Sequence, residues 1–438
     1  MCVRSLNSCH SEYTIHTHAV VVGEFSERQN NMKQQLTRIG LLAGSAIAAV
    51  SLVACGGGGG GSGSPPNPPP TSNMGTLSVA LTDAPACGFD AVNVTVSKVR
   101  VNKSAGAGDT DAGWVDVTLN PARKIDLLKL SNGVLDTLGT TSLDPGHYSQ
   151  VRLVLDSNAS GTANTVLPTG GKTEKPLDTP SAAQSGIKLT GEFDVAAGQQ
   201  SDIVIDFDAC KSILTKGNGN YSLKPVLRMV PSAANNGISG VIAPAALTHN
   251  VVVSAQQNGK IIASTAPDAT SGAFALMHLT AGNYDVVITS DTSAASVIGS
   301  VPVTATGTTS VSTTAAPIAL APSNAGSVSG TVTMNPPSST EAAYVAAKQS
   351  FASGTTVTIK YQGADLASGA YTIANLPIAA PQYAAYSSTL PLAFGAATGI
   401  TPAKYTVEAT ANGYATKSVA GIDLSAGNQA NVNYTLTP

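Results

Sequence analysis

AVNVTVSKVRV, residues 91–101, decides the fold class. Val92, Val94 and Val96 alternate with polar residues, and a period of two puts them on one face of an extended strand. The phase shifts before Val99 and Val101, which is the mark of a β-bulge. The same alternation recurs in TLSVAL (76–81), Trp114–Thr118, SQVRLVLD (149–156), SDIVIDFD (201–208) and Tyr221–Val230. Turn signals separate these runs: Asp83-Ala84-Pro85, Ser131-Asn132-Gly133, Asp144-Pro145-Gly146 and Gly217-Asn218-Gly219. Many short strands joined by Gly/Pro turns read as an antiparallel sandwich or barrel, and the chain as a whole as all-β, antiparallel β-sandwich domains in series. Ile125–Leu130 (IDLLKL) reads equally as a strand or as one helical turn.

Composition narrows the function. The chain has 438 residues, 23 Lys+Arg, 26 Asp+Glu and a net charge of -3, without the basic field a nucleic-acid partner requires. Charged residues are 11% of it, against about 25% in ordinary soluble domains. Residues 75–232 carry 14 basic and 16 acidic residues, whereas 233–438 carry only 5 and 7. The first stretch therefore reads as a globular domain and the second as Thr/Ser/Ala-rich β modules.

Upstream, Met32 opens MKQQLTRIGLLAGSAIAAVSLVACGGGGGG. Lys33 and Arg38 form a positive start without acids, and Ile39–Val53 is an apolar run of 15 residues. That suits a secretory signal and falls short of the roughly 20 residues a membrane span needs. Leu52-Val53-Ala54-Cys55 resembles the bacterial lipobox. The resemblance implies a signal peptide at 32–54, cleavage before Cys55, and a covalent lipid on its thiol, the partner being membrane lipid. Each buried CH₂ of such a chain contributes about 0.8 kcal/mol. Gly56 after the Cys resembles outer-membrane sorting, so the expected location is the bacterial envelope, facing periplasm or cell surface. Residues 1–31, with Cys2, Cys9, His10, His16 and His18, fit no targeting pattern and read as a misassigned extension. Residues 55–74 read as the lipidated Cys followed by a Gly/Ser/Pro tether.

Residues 75–232 resemble the bacterial lipoprotein domain of unknown function family 4382. The resemblance rests on GTLSVALTDAP (75–85), AVNVTVSKVRV (91–101), KIDLLKLSNG (124–133), PGHYSQVRLVLD (145–156), SGIKL (185–189), VIDFDACKSI (204–213) and GNGNYSLKPV (217–226). It implies architecture and no activity. Once Cys55 is lipidated, Cys87 and Cys210 remain beyond the signal. Export to an oxidising compartment favours a disulfide between them. It would close a long loop worth up to about 4–5 kcal/mol in the chain-entropy model; two unpaired buried thiols are the alternative. Asp206 and Asp208 lie opposite Ile203, Ile205 and Phe207, and with Asp83 and Asp90 they are candidate oxygen ligands for Ca²⁺. The competing reading has them solvated or paired with Lys98, Lys211 or Lys224.

The tail repeats itself. SGVIAP (239–244) answers SGTVTM (329–334), SGAFALMHL (271–279) answers SGAYTIANL (368–376), and AGNYDVVIT (281–289) answers PAKYTVEAT (402–410). These elements resemble carboxypeptidase-regulatory-like modules of carbohydrate-binding-like fold, related to Cna-B-type modules. They predict one sandwich over 236–322 and a second over 326–438. The second carries an insertion, 377–401, with no charged residue and with Tyr383, Tyr386, Leu392 and Phe394. Such an insertion either carries recognition, making Tyr383, Tyr386 and Phe394 ligand contacts, or folds back over an open sheet edge. The recurring Phe274/Tyr371 and Tyr284/Tyr405 read as core. Lys404, Glu408 and Asn433 are the residues to inspect for an isopeptide cross-link.

Motif look-alikes fail on detail. Gly170-Gly171-Lys172-Thr173 has Val166 where a phosphate-binding loop needs its first Gly. Asp109-Thr110-Asp111-Ala112-Gly113 places Gly one position late for an EF-hand, with Asn120 for the bidentate Glu. His147, His249 and His278 are scattered, and no catalytic residue is assigned. The expected function is a non-enzymatic adhesive, scaffolding or ligand-presenting lipoprotein with an unknown protein or glycan partner. The alternatives are a carbohydrate-binding accessory lipoprotein and an uncharacterised hydrolase.

Overall fold

A computed structural model describes residues 73–84, 88–159, 161–180, 182–217, 219–231 and 236–438. The expectations for residues 1–31, the 32–54 signal, Cys55, most of the tether and Cys87 lie outside the described residues. What is described is all-β, as the alternation predicts, and falls within one compact unit.

The first core lies between two sheets. In the larger, strand Phe89–Asn102 pairs with Val115–Asp126 on one side and Gln150–Leu155 and Thr165–Pro168 along the other. Val92, Val94, Val96, Val99 and Val101 are fully buried, and the register shifts between Val96 and Lys98 against both long neighbours. The bulge turns one valine set into the other without turning any of them to solvent.

The smaller sheet runs Leu227–Pro231, Gln200–Asp208, Gly75–Ala84, Asp136–Leu143. Its central pair, Gly75–Ala84 with Gln200–Asp208, is parallel, not antiparallel. Parallel neighbours need a long crossover, and here most strands of the larger sheet lie between them in sequence. Ile203, Ile205 and Phe207 face the core beside Val79, Leu81 and Asp83.

Two ambiguous segments resolve by local chemistry. Ile125 and Asp126 end the strand Val115–Asp126, and Leu127–Leu130 form a 3-10 turn. The Asp126 carboxylate caps that turn, accepting from Leu128 N at 3.3 Å. The expected strand Tyr221–Val230 splits into Tyr221–Leu223 and Leu227–Pro231. Pro225 offers no N–H to a ladder at the break.

The tail builds two further cores. Residues around 236–322 form the sheets Ala273–Met277, Gly237–Val241, Thr308–Ser310 and Lys260–Thr265, Val252–Gln257, Gly282–Thr289, Ser296–Val303. Residues around 326–438 form Ala370–Pro377, Ala325–Met334, Tyr434–Leu436 and Thr356–Gly363, Tyr344–Ser350, Lys404–Thr410, Lys417–Asp423. The repeats match atom for atom at their turns. Asp268 Oδ1 accepts from Ser271 N and Oγ at 2.7 and 2.8 Å, and Asp365 Oδ1 from Ser368 N and Oγ at 2.8 and 2.9 Å. The glycine that follows has φ +71° at Gly272 and +70° at Gly369. Phe274, Tyr371, Tyr284 and Tyr405 are all buried.

The same bond from a buried tyrosine back to the preceding backbone recurs in all three units. Tyr148 donates to Asp144 O at 3.0 Å and Tyr284 to Thr280 O at 2.9 Å, while Tyr405 donates to Pro377 O. Pro377 thus stands where Thr280 stands in the other repeat, and the insertion follows it.

The insertion does not stay with its own sheets. Its strand Gln382–Ala385 adds in parallel to Ser296–Val303, and Gly395–Ala396 pairs outside it. The sheet of the preceding repeat is completed by these residues, so of the two expectations the edge cover is the one observed, on the neighbouring unit.

Gly272→Ala and Gly369→Ala are each expected to destabilise the fold by about 1–3 kcal/mol in urea unfolding. A Cβ there would lie 2.1 Å from Ile242 O and 2.2 Å from Val332 O, in a backbone conformation that disfavours L side chains.

Candidate functional site

A group of charges lies at the outer face of the smaller sheet, where the first domain meets the tail. Strand Gln200–Asp208 turns Val204, Asp206 and Asp208 outward, yet Val204 is fully buried. That face is covered: Lys260–Thr265 lies against Gly75–Ala84. A carboxylate sealed in such a seam needs a partner. Arg228, cross-strand from Asp206, supplies Nε at 2.7 Å and Nη2 at 2.6 Å. Burial pushes the Asp206 carboxyl above its ordinary value, against the opposing pull of Arg228.

Asp208 caps the short helix Ala209–Ser212, accepting from Lys211 N at 3.0 Å, and pairs with Lys211 Nζ at 2.8 Å. Lys211 in turn lies 5.4 Å from the centre of the Tyr361 ring, across the seam. Lys224 pairs with Glu341, reaches Ala342 O at 3.3 Å and sits 5.2 Å from the Tyr344 ring centre. Glu341 also accepts from Asn412 N at 3.0 Å. Burial raises the Tyr344 and Tyr361 phenols well above their usual value, and Asp208 adds to it. The 365–368 turn completes the seam: Leu366 N donates to Thr215 O at 2.9 Å and Gly217 N to Asp365 Oδ2 at 2.5 Å. On the other repeat, Asn132 N donates to Thr265 Oγ1 at 3.0 Å. Chemically the seam is a set of interdomain locks.

The four aspartates considered for Ca²⁺ are not brought together. The register sets Asp83 on the face of Phe207, opposite Asp206 and Asp208, where it accepts from Ala209 N at 3.1 Å. Asp90 lies in the other sheet and accepts from Gly170 N at 3.0 Å. Among the described residues no group of three or more His, Cys, Asp and Glu side chains is placed to hold a metal ion. Asp208 takes Lys211, a partner weighed from sequence; Arg228 for Asp206 was not foreseen, although it lies on a short run that ends the domain.

Tyr383, Tyr386 and Phe394 are half-buried in packing. Tyr383 meets Phe351 with ring centres 5.5 Å apart, and Tyr386 and Phe394 pack on the core of the preceding repeat. Lys404, Glu408 and Asn433 are also apart: Glu408 pairs with Lys348, Lys404 with Asp423 at 3.6 Å, and Asn433 accepts from Thr331 N at 2.8 Å. Cys210 sits in the helix just past the Ala84–Asp208 end of the parallel pair.

Elsewhere, the exposed His147 bridges two carboxylates, Asp194 at 2.9 Å and Glu192 at 3.1 Å. Its hydrogen bond to Asp194, then that to Glu192, raises its pKa above the ordinary histidine value. The Asp268 and Asp365 caps of the Ser-Gly turns and the seam residues Arg228 and Glu341 were missed from sequence, and Lys224, weighed there as an aspartate partner, takes Glu341 instead. An Asp three residues before each repeated Ser-Gly was the available signal for the turns.

These features define an all-β, multi-domain chain locked through its central sheet. Residues 74–225 match the family model described as a domain of unknown function (DUF4382). No curated protein matches the chain. Among solved structures, the TIE protein of Bacillus anthracis is similar at 11% identity and TM-score 0.15, covering 83% of this chain and 50% of that one. This chain thus spans half that protein's length. The major pilin SpaA of Corynebacterium diphtheriae gives 12% identity, TM-score 0.18, and coverage of 83% and 100%. BcpA, the major pilin subunit of Bacillus cereus, gives 9%, 0.15, 83% and 99%. At these TM-scores the similarities carry no argument about this chain.

Two outcomes are expected. Arg228→Met should cost about 3 kcal/mol by leaving Asp206 buried and uncompensated, and adding Asp206→Leu should recover most of it. Urea unfolding of the single and double variants measures this. His147 should titrate above 6.5 in NMR and fall towards 6.5 in Asp194→Asn. Because its folded pKa is the higher one, its contribution is full below pH 6.5 and is lost as pH rises through the folded value.

Proposed function

We propose that the chain is an outer-membrane-anchored envelope lipoprotein. Its β domains serve as a non-enzymatic scaffold that presents surface to a protein or glycan partner. The anchor reading rests on the lipobox-like Leu52-Val53-Ala54-Cys55 after a charged, apolar leader. What supports the scaffold reading is the seam. Lys224 pairs with Glu341 across the domain boundary, the 365–366 turn bonds to residues 215 and 217, and Asp206 and Asp208 are held beside it by Arg228 and Lys211 of their own domain. A tether of Gly, Ser and Pro then carries one body, not loosely strung beads.

The same reading includes a Cys87–Cys210 disulfide. Register pairs Ala84 with Asp208, so Cys87 follows one strand by three residues and Cys210 follows its parallel neighbour by two. The glycan reading relied on Tyr383 and Tyr386, and their packing role takes that support away.

Radiolabelled palmitate should enter the wild-type chain and not Cys55→Ala, which should leave the membrane fraction. Equal labelling of the two, or an unlabelled wild type, overturns the anchor. Alkylation of the exported, unfolded and unreduced protein should leave Cys87 and Cys210 unmodified, and a mass gain at both positions overturns the bridge.

A further inference from the structure

The two repeats solve the same edge in different ways. In the second, strand Lys417–Asp423 is the open edge of its sheet. It begins with Lys417 and ends with Asp423, both charged, and Gly421 has φ +76° at a register shift. Charges and a bulge are what keep an edge from accepting another strand. In the first repeat the equivalent strand is Ser296–Val303. Pairing with the shared tyrosine strand fixes the equivalence. Val301 opposes Tyr284 as Ile422 opposes Tyr405, and Ser296 opposes Ile288 as Lys417 opposes Ala409. The bulge is retained, with Ser300 at φ +56°. The charges are not: Ser296 stands for Lys417 and Pro302 for Asp423, and SVIGSVPV holds no charged residue.

That uncharged edge is where the 377–401 insertion docks. Gln382 N donates to Ala295 O at 2.8 Å and Tyr386 N to Gly299 O at 3.0 Å. The Tyr383 ring covers Gly299, where a Cβ would lie 2.2 Å from the tyrosine hydroxyl. Ser296, Val297, Ile298 and Gly299 are all buried in the result. Val297 and Ala295 join the core of the second repeat.

We infer that the Ser296–Gly299 edge is a self-association surface whose partner is the same edge of a second copy, and that the insertion occupies it in cis. An edge without charges pairs with its own copy by antiparallel strand addition about a two-fold axis. The insertion prevents this at no cost in association entropy because it is tethered. The inference is independent of lipidation.

The first repeat shows that the fold closes without the insertion, since Thr280 and Ala281 make the same connection there. The test therefore replaces 377–401 of the full chain by a single Thr, in a Cys55→Ala background. Light scattering is expected to show a monomer for the parent and a concentration-dependent dimer for the shortened chain. Ser296→Lys, which restores the charge found at Lys417, should return the shortened chain to monomer. Gly299→Ala with the insertion intact should speed amide exchange of Gln382 and Tyr386 at least tenfold. A shortened chain that stays monomeric while folded, or a dimer indifferent to Ser296→Lys, overturns the inference. If the shortened chain does not fold, unchanged exchange in Gly299→Ala overturns it and faster exchange with new dimer supports it.

Discussion

From Ile203 to Asp208, strand Gln200–Asp208 is covered on both faces, and the architecture depends on it. Ile203, Ile205 and Phe207 fill the first core, while Val204, Asp206 and Asp208 enter the seam with the tail. A strand of this kind normally carries apolar residues on both sides. Here one side carries carboxylates, and each must be matched within the seam because desolvating a charge without a partner is costly. Arg228 and Lys211 meet that demand locally. Across the boundary, Lys224 pairs with a carboxylate of the tail, Glu341.

This constraint links packing to function. An apolar seam of the same area would hold as well and would tolerate sliding. Ion pairs and backbone bonds such as Leu366 N to Thr215 O require one alignment. The insertion works to the same end between the two repeats. Its strand lies in a sheet of the first repeat while both of its ends belong to the second. Gln256 and Thr358 add reciprocal bonds of 2.8 Å between these repeats, and Lys360 pairs with Asp291.

Much of the strand content was legible because alternation is local. The valines of 91–101 announced both their burial and their bulge. The duplicated Ser-Gly turns and aromatic strands were legible for the same reason: identical neighbours make identical turns. Legibility ended where partners are remote in sequence. Asp206 was readable as outward-facing, but whether outward meant solvent, metal or seam depended on the tail. Whether Tyr383 served recognition or edge cover stayed open in the sequence because its cover, Gly299 and Phe351, is remote from it along the chain.

The sequence by itself determined the all-β class, the two related repeats and the turn positions, since each follows from side-chain period and backbone preference within a few residues. Tertiary structure alone decided the parallel central pair, the seam and the home of the 377–401 strand. Those depend on which distant edges and faces remain unfilled after the local strands have formed, and burial settles that only when the whole chain has closed.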